Sequence, residues 1–265
     1  MNTVRQPVVA GLFYPAKASE LARVVEDYLA AATPVALSGP VKAIIVPNAG
    51  YLYSGATAAA AYATLPPQSD QIRRVVLLGT AHRTTINGLA LIGVQYFRTP
   101  LGDIEQDQAA FNTCLKLPFA HCLDTVHWRE HSLEVQLPFL QSTLKRFSIL
   151  PLLVGRATTE DIAIALNAVW GDDETLLVVS SDLSRPKDYR SAQYQDGGTA
   201  QAIDALGITA IDQQRASYCP AARGLLRVAA QRQLLATTMA ATSGASNQQP
   251  SLGYGSWVFT VPVDS

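Results

Sequence analysis

Short runs of β-branched and aliphatic residues alternate along this chain with stretches of helical periodicity, and that alternation restricts the possible folds most. Residues 42–46 (KAIIV), 74–78 (RVVLL), 89–94 (LALIGV), 147–154 and 174–180 (ETLLVVS) are apolar without the every-second-residue pattern of a half-solvated strand. Strands apolar on both faces belong in the middle of a layered domain. Between them, the Ala-rich residues 56–65 and residues 106–117 read as helices. Over residues 130–144, Leu133, Leu137, Leu140 and Leu144 recur at helical spacing, which predicts an amphipathic helix. Residues 158–170, with Thr159-Glu160-Asp161 at their front, read as a capped helix. Residues 31–40 read as a linker, 187–232 as helices and 253–263 as a closing strand. The expectation is a single α/β domain over residues 1–265, with a mainly parallel or mixed central sheet covered by helices on both faces.

Composition removes several function classes. Twenty basic residues against twenty-one acidic give a net charge of −1, without the basic surplus of a nucleic-acid binder. The chain lacks an apolar run of about 18 residues, so no membrane span is expected. The start, MNTVRQPVVAGLFYPAK, does not read as a signal peptide. Three cysteines, Cys114, Cys122 and Cys219, form no CxxC pair and leave one over, which fits a reduced, cytoplasmic setting.

In an open α/β sheet, ligands bind beyond the carboxyl ends of the strands. Three such ends carry polar turn segments: PNAGYLYSG from Pro47, GTAHR from Gly79, and SSDLSRP from Ser180. If their strands are neighbours, Asn48, His82 and Asp182 converge, and the result is a pocket with a His–carboxylate pair. Each residue also has a plainer use. Asn48 serves a turn, His82 bonds a carbonyl, and Asp182 caps the next helix. Tyr51 and Tyr53 are either ligand-facing or core residues. His127-Trp128-Arg129-Glu130-His131 fits the H-x-x-E-H form of a zinc peptidase class, which needs both imidazoles one helical turn apart. The helical pattern begins only near Glu130, so His131 and Glu134 read as fixing a helix start beside the sheet. Cys219, before Pro220, reads as a buried structural thiol.

These segments resemble the Memo family, known in bacteria as AmmeMemoRadiSam system protein B. The likeness runs through VRQPVVAGLFYP, IIVPNAGYLYSG, VVLLGTAH, TPLGDIEQD, EHSLEVQLPFLQ, VVSSDLS and SGASNQQPSLGYGSWVF, nearly the whole chain. It implies a fold similar to the class III extradiol ring-cleavage dioxygenases. It also implies a mononuclear iron or copper site built from His, His and Cys. This chain departs from that pattern. Asn48 stands where the first motif has His, and Arg185 where the third has His. His82 and Asp182 are kept. Near the C-terminal helices either Ala216 or Cys219 falls at the Cys position, depending on the alignment.

A neutral carboxamide replaces imidazole poorly as a ligand for iron, copper or zinc. A guanidinium about 5 Å from a divalent ion, at an effective dielectric of about 20, opposes it by a few kcal/mol. The expectation is therefore a degenerate metal site with no cofactor, in a non-catalytic or metal-independent binding or accessory protein. Its cleft would take a small anionic ligand or peptide through Asn48, Tyr53, His82, Asp182 and Arg185. Arg185 paired with Asp182 would cancel that attraction. Two alternatives stand beside it: an iron- or copper-dependent oxidase or dioxygenase-like enzyme using His82, Asp182 and Cys219, and a metal-free acid/base enzyme using His82 and Asp182. The resemblance points to radical SAM and AMMECR-type proteins as partners.

Overall fold

A computed structural model describes residues 3–182, 189–207, 220–242, 245–246, 249–250 and 253–263. The strands are β1 (Val4–Arg5), β2 (Val41–Val46), β3 (Arg74–Thr80), β4 (Leu89–Leu91), β5 (Tyr96–Thr99), β6 (Gly102–Glu105) and β7 (Ala120–Cys122). They continue as β8 (Ser148–Val154), β9 (Thr175–Ser180), β10 (Leu235–Thr242), β11 (Ala245–Ser246), β12 (Gln249–Pro250) and β13 (Tyr254–Thr260). The α-helices are α1 (Ala18–Ala31), α2 (Tyr51–Tyr62), α3 (Gln108–Leu115), α4 (Asp124–His127), α5 (Leu137–Thr143), α6 (Thr159–Ala168), α7 (Tyr189–Asp204) and α8 (Pro220–Gln231).

Eight strands form the main sheet in the order β10-β13-β2-β9-β3-β8-β4-β7. The inner four, β2, β9, β3 and β8, are mutually parallel. Antiparallel β13 joins β2 on one side, and β4 runs against β8 on the other. The sheet is thus mixed around a parallel centre, as the two-faced apolar strands predict. Every residue of β2 and β9 is buried. Alternate residues feed two cores. Ala43, Ile45, Val76 and Leu78 face α3, α6 and α8, whereas Ile44, Val46, Val75 and Leu77 face α1, α2 and α5. No helix among the described residues is long and apolar enough to cross a membrane.

Two expected elements differ in form. The helix expected over residues 130–144 is a turn, a single 3-10 turn at Glu134–Gln136, and then α5. The leucine spacing marks burial correctly, since Leu133, Leu137, Leu140 and Leu144 are all buried. A longer helix is interrupted because Glu130 binds the backbone N–H groups of His131 and Ser132 with its own carboxylate. Pro138, which lacks an N–H, is tolerated only because it falls in the first turn of α5. The stretch 56–65 is the later part of α2, which begins at Tyr51.

Candidate functional site

Strands β2, β9 and β3 are neighbours, so their carboxyl ends open side by side. Val46 pairs with Ser180, which also pairs with Gly79. The segments leaving these ends carry Asn48, Asp182 and His82.

The floor of the site is a hydrogen-bond network from residues 132–136. Gln136 Nε2 donates to Pro47 O at 2.9 Å and to Ser180 Oγ at 2.7 Å. Ser180 Oγ donates to Ser132 O, and Ser132 Oγ donates to Thr80 O at 3.0 Å. This ties the ends of all three strands to one crossing segment. Gly79 permits the approach: a Cβ there would sit 2.6 Å from Ser132 Oγ and 2.8 Å from Leu133 Cδ2.

His82 is held by Glu130. Its backbone N–H donates to Glu130 Oε2 at 2.7 Å, and its Nδ1 lies 3.0 Å from Oε1. Burial alone would raise the Glu130 pKa. The His82 ring and the N–H groups of Ser132 and His82 outweigh it and hold the carboxyl at about 2. An ionised carboxylate only accepts, so the proton of a neutral His82 sits on Nδ1 and the lone pair on Nε2. His131 packs beside it, with ring centroids 4.9 Å apart, its Nδ1 3.3 Å from the same Oε1. Phe13 closes the outer side at 4.8 Å from the His131 ring.

Asn48 and Asp182 do meet. Asp182 Oδ1 accepts from the Asn48 backbone N–H at 2.8 Å, and Asn48 Nδ2 donates to Ser180 O at 3.1 Å. Asn48 is buried, and its carboxamide bridges β2 to β9. Tyr53 is exposed on the first turn of α2, while Tyr51 is core, its hydroxyl donating to Val135 O. Tyr254 faces the same end: burial first, then the nearby Asp182 and Tyr53, push its hydroxyl up to about 12. Arg185, Ala216 and Cys219 lie outside the described residues.

The carboxylate at hydrogen-bond distance from His82 is therefore Glu130, where sequence reasoning offered Asp182. Glu130 and His131 are the residues that reasoning missed at this site. The signal was a charged pair at the head of the apolar segment EHSLEVQLPFL. The H-x-x-E-H pairing does not form. Helix α4 ends at His127, whose Nε2 lies 3.0 Å from Ala90 O in the core. Burial leads in depressing the His127 pKa to about 4, so this imidazole is neutral and structural.

Residues 5–220 match the family described as Memo-like protein. A MEMO1 family protein of Aquifex aeolicus is 37% identical over 207 residues, which cover 77% of this chain and 75% of that protein. Protein MEMO1 of Danio rerio is 31% identical over 223 residues, covering 79% and 74%. Among solved structures, an uncharacterized protein from Escherichia coli K12 superposes with a TM-score of 0.52 at 13% identity, covering 82% of this chain and 99% of that one, a likeness of fold alone.

Proposed function

This chain belongs to the Memo family, and from that membership we propose that it is a binding or accessory member whose strand-end cleft takes a small anionic ligand or peptide, without the family's iron or copper centre. The observation that carries this reading is the state of Asn48. Its carboxamide is buried and donates to Ser180 O, which makes it a strut between two strands. It is also a weak, neutral donor where the resemblance expects imidazole. The residues present do not fit a His–His–Cys redox centre, so no oxygen-dependent step is derived for them.

Anion recognition is supported by donors placed at the strand ends. His82 is fixed through Nδ1, and its ring is partly exposed. The Tyr254 side chain stands near both Asp182 and Tyr53 at the same end. Arg185 comes three positions after Asp182 in the sequence and adds a permanent cation. Partners are to be sought among radical SAM and AMMECR-type proteins, and the setting we propose is cytoplasmic.

Elemental analysis of protein purified without chelator tests the first half, with iron and copper expected far below one equivalent. Calorimetric titration with inorganic phosphate and with acetate tests the second, with binding expected and weakened at least tenfold in His82→Ala. Stoichiometric iron or copper, lost in that variant, would instead establish the oxidase alternative.

A further inference from the structure

The sheet carries a second cleft at its other end. It measures about 710 Å³ and lies at the amino ends of β3 and β8, where the segment after α5 meets β5 and β6. A seven-residue strand, roughly 20 Å, separates it from the cleft of Asn48 and His82. One wall is basic. The Ser148 N–H donates to Arg73 O at 2.9 Å, which sets Arg73 beside Phe147 and close to Arg146. These three line the cleft together with Lys145. The other wall is acidic. Asp103 and Glu105 stand two positions apart on β6, with Tyr96 of β5 paired opposite Glu105. Gln141 of α5 holds the two walls in place. Its Oε1 accepts from Thr99 Oγ1 at 2.6 Å, and its Nε2 donates to Gly102 O at 3.2 Å.

Most charges around this cleft are already paired. Arg74 meets Asp107 at 2.6 Å, Lys145 meets Asp70 at 2.6 Å, and Asp103 meets Arg98 at 2.7 Å. Among the described residues, Arg73, Arg146 and Glu105 have no side-chain partner. A cation just past the carboxyl end of α5 suits the helix dipole, which accounts for Arg146 alone. It does not account for a second guanidinium brought beside it from the start of β3. We propose that this cleft binds a small phosphomonoester whose far end donates hydrogen bonds, with the phosphate on Arg73 and Arg146 and the donors on Glu105. Two guanidiniums match the nearly double charge of a phosphomonoester at neutral pH, and each presents paired N–H groups to its oxygens. A single carboxylate would leave one cation unanswered. An extended polyanion would run its further charges past Asp103 and Glu105, so the ligand is compact. Its body rests against the half-buried Tyr96 and Phe147 rings. The cleft volume suits a ligand of nucleotide size. This site is independent of the reading given to the strand-end cleft.

The test is calorimetric titration of the whole chain with AMP, ribose-5-phosphate and inorganic phosphate. It is run in the His82→Ala variant, which removes the anion site proposed at the opposite end of the sheet. At least one ester is expected to bind, and Arg73→Gln and Arg146→Gln should each weaken it about tenfold. Glu105→Gln should weaken the esters while leaving inorganic phosphate no weaker, a split that a general loss of folding would not produce. All three side chains are exposed, and thermal unfolding checks that the variants remain folded. AMP bound more tightly than ribose-5-phosphate identifies a nucleotide, and AMP bound no more tightly identifies a sugar phosphate; either result supports the site. Binding of neither ester, binding of inorganic phosphate as tight as that of both esters, or ester binding that survives both arginine substitutions would overturn it.

Discussion

Glu130 and Glu134 sit four positions apart in one short segment, both buried, and they do different work. Glu134 accepts from Arg5 Nη1 at 2.6 Å, from Tyr14 Oη at 2.7 Å, and from the Val8 and Val9 N–H groups. Arg5 in turn donates to Glu130 O and His127 O. The pair thus clamps the N-terminal arm to the loop that presents Glu130. Burial, then Glu134, pushes the Tyr14 hydroxyl pKa up, so it stays a donor. Removing one partner of a buried ion pair leaves the other charge uncompensated, at a cost of about 3–5 kcal/mol. Glu134→Gln is expected to destabilise by that amount in urea titration, whereas Tyr14→Phe should cost about 1 kcal/mol. Adding Arg5→Met to Glu134→Gln should recover part of the loss. Equal losses for Tyr14→Phe and Glu134→Gln would refute the ion-pair account. A carboxylate inside an apolar run was visible in the sequence, but its partner lies 129 residues away, and no local pattern joins the two.

At the scale of elements, the strands were legible because burial on both faces leaves a continuous apolar run, as in β2 and β9. Helix α6 was legible from its cap: Thr158 and Asp161 form a capping box. Three kinds of element were not. Helix α1 buries only Leu21 and Val25, a stripe too thin to stand out before the linker. Strand β10, LATTMAAT, obeys neither period; its strand form comes from pairing along β13. The small sheet β1-β5-β6 depends on the N-terminal arm reaching Tyr96 and Phe97. Helix–helix packing is equally hidden. Gly224 of α8 lies against Ile162 of α6, and a Cβ there would fall 2.2 Å from Ile162 Cγ2. Ile162 is buried and β-branched, so it has little rotamer freedom with which to yield. Gly224→Ala would gain helix propensity but overpack this contact, and a net loss of about 1–3 kcal/mol is expected by thermal unfolding. The double variant with Ile162→Ala should show less than the sum of the two single losses. Additive losses would show that the two residues do not oppose each other.

For the whole molecule, one arrangement governs both the candidate site and the response to acid. Parallel neighbours bring three strand ends together, which is why Asn48, His82 and Asp182 could be named from sequence. Glu130 and His131 arrive on a crossing segment whose path is set by the Ser132 and Gln136 hydrogen bonds, so sequence order could not place them. Just before that segment stand two groups whose folded pKa values lie well below the ordinary ones. His127 has a folded pKa of about 4 against an ordinary 6.5, chiefly through burial. As pH falls from 6.5 to 4 the unfolded chain takes up a proton that the folded chain refuses, and stability drops. Glu130 has a folded pKa of about 2 against an ordinary 4.5. Its contribution is complete above 4.5 and disappears as pH falls toward 2. Each shift corresponds to about 3 kcal/mol at most. Urea midpoints should therefore fall in two successive stages between pH 7 and pH 2. His127→Gln should flatten the upper stage only, and Glu130→Gln the lower only. A midpoint constant from pH 7 to pH 4 would mean that His127 is not held neutral. A lower stage undiminished in Glu130→Gln would mean that other depressed carboxylates, such as Asp107 beside Arg74, carry it instead.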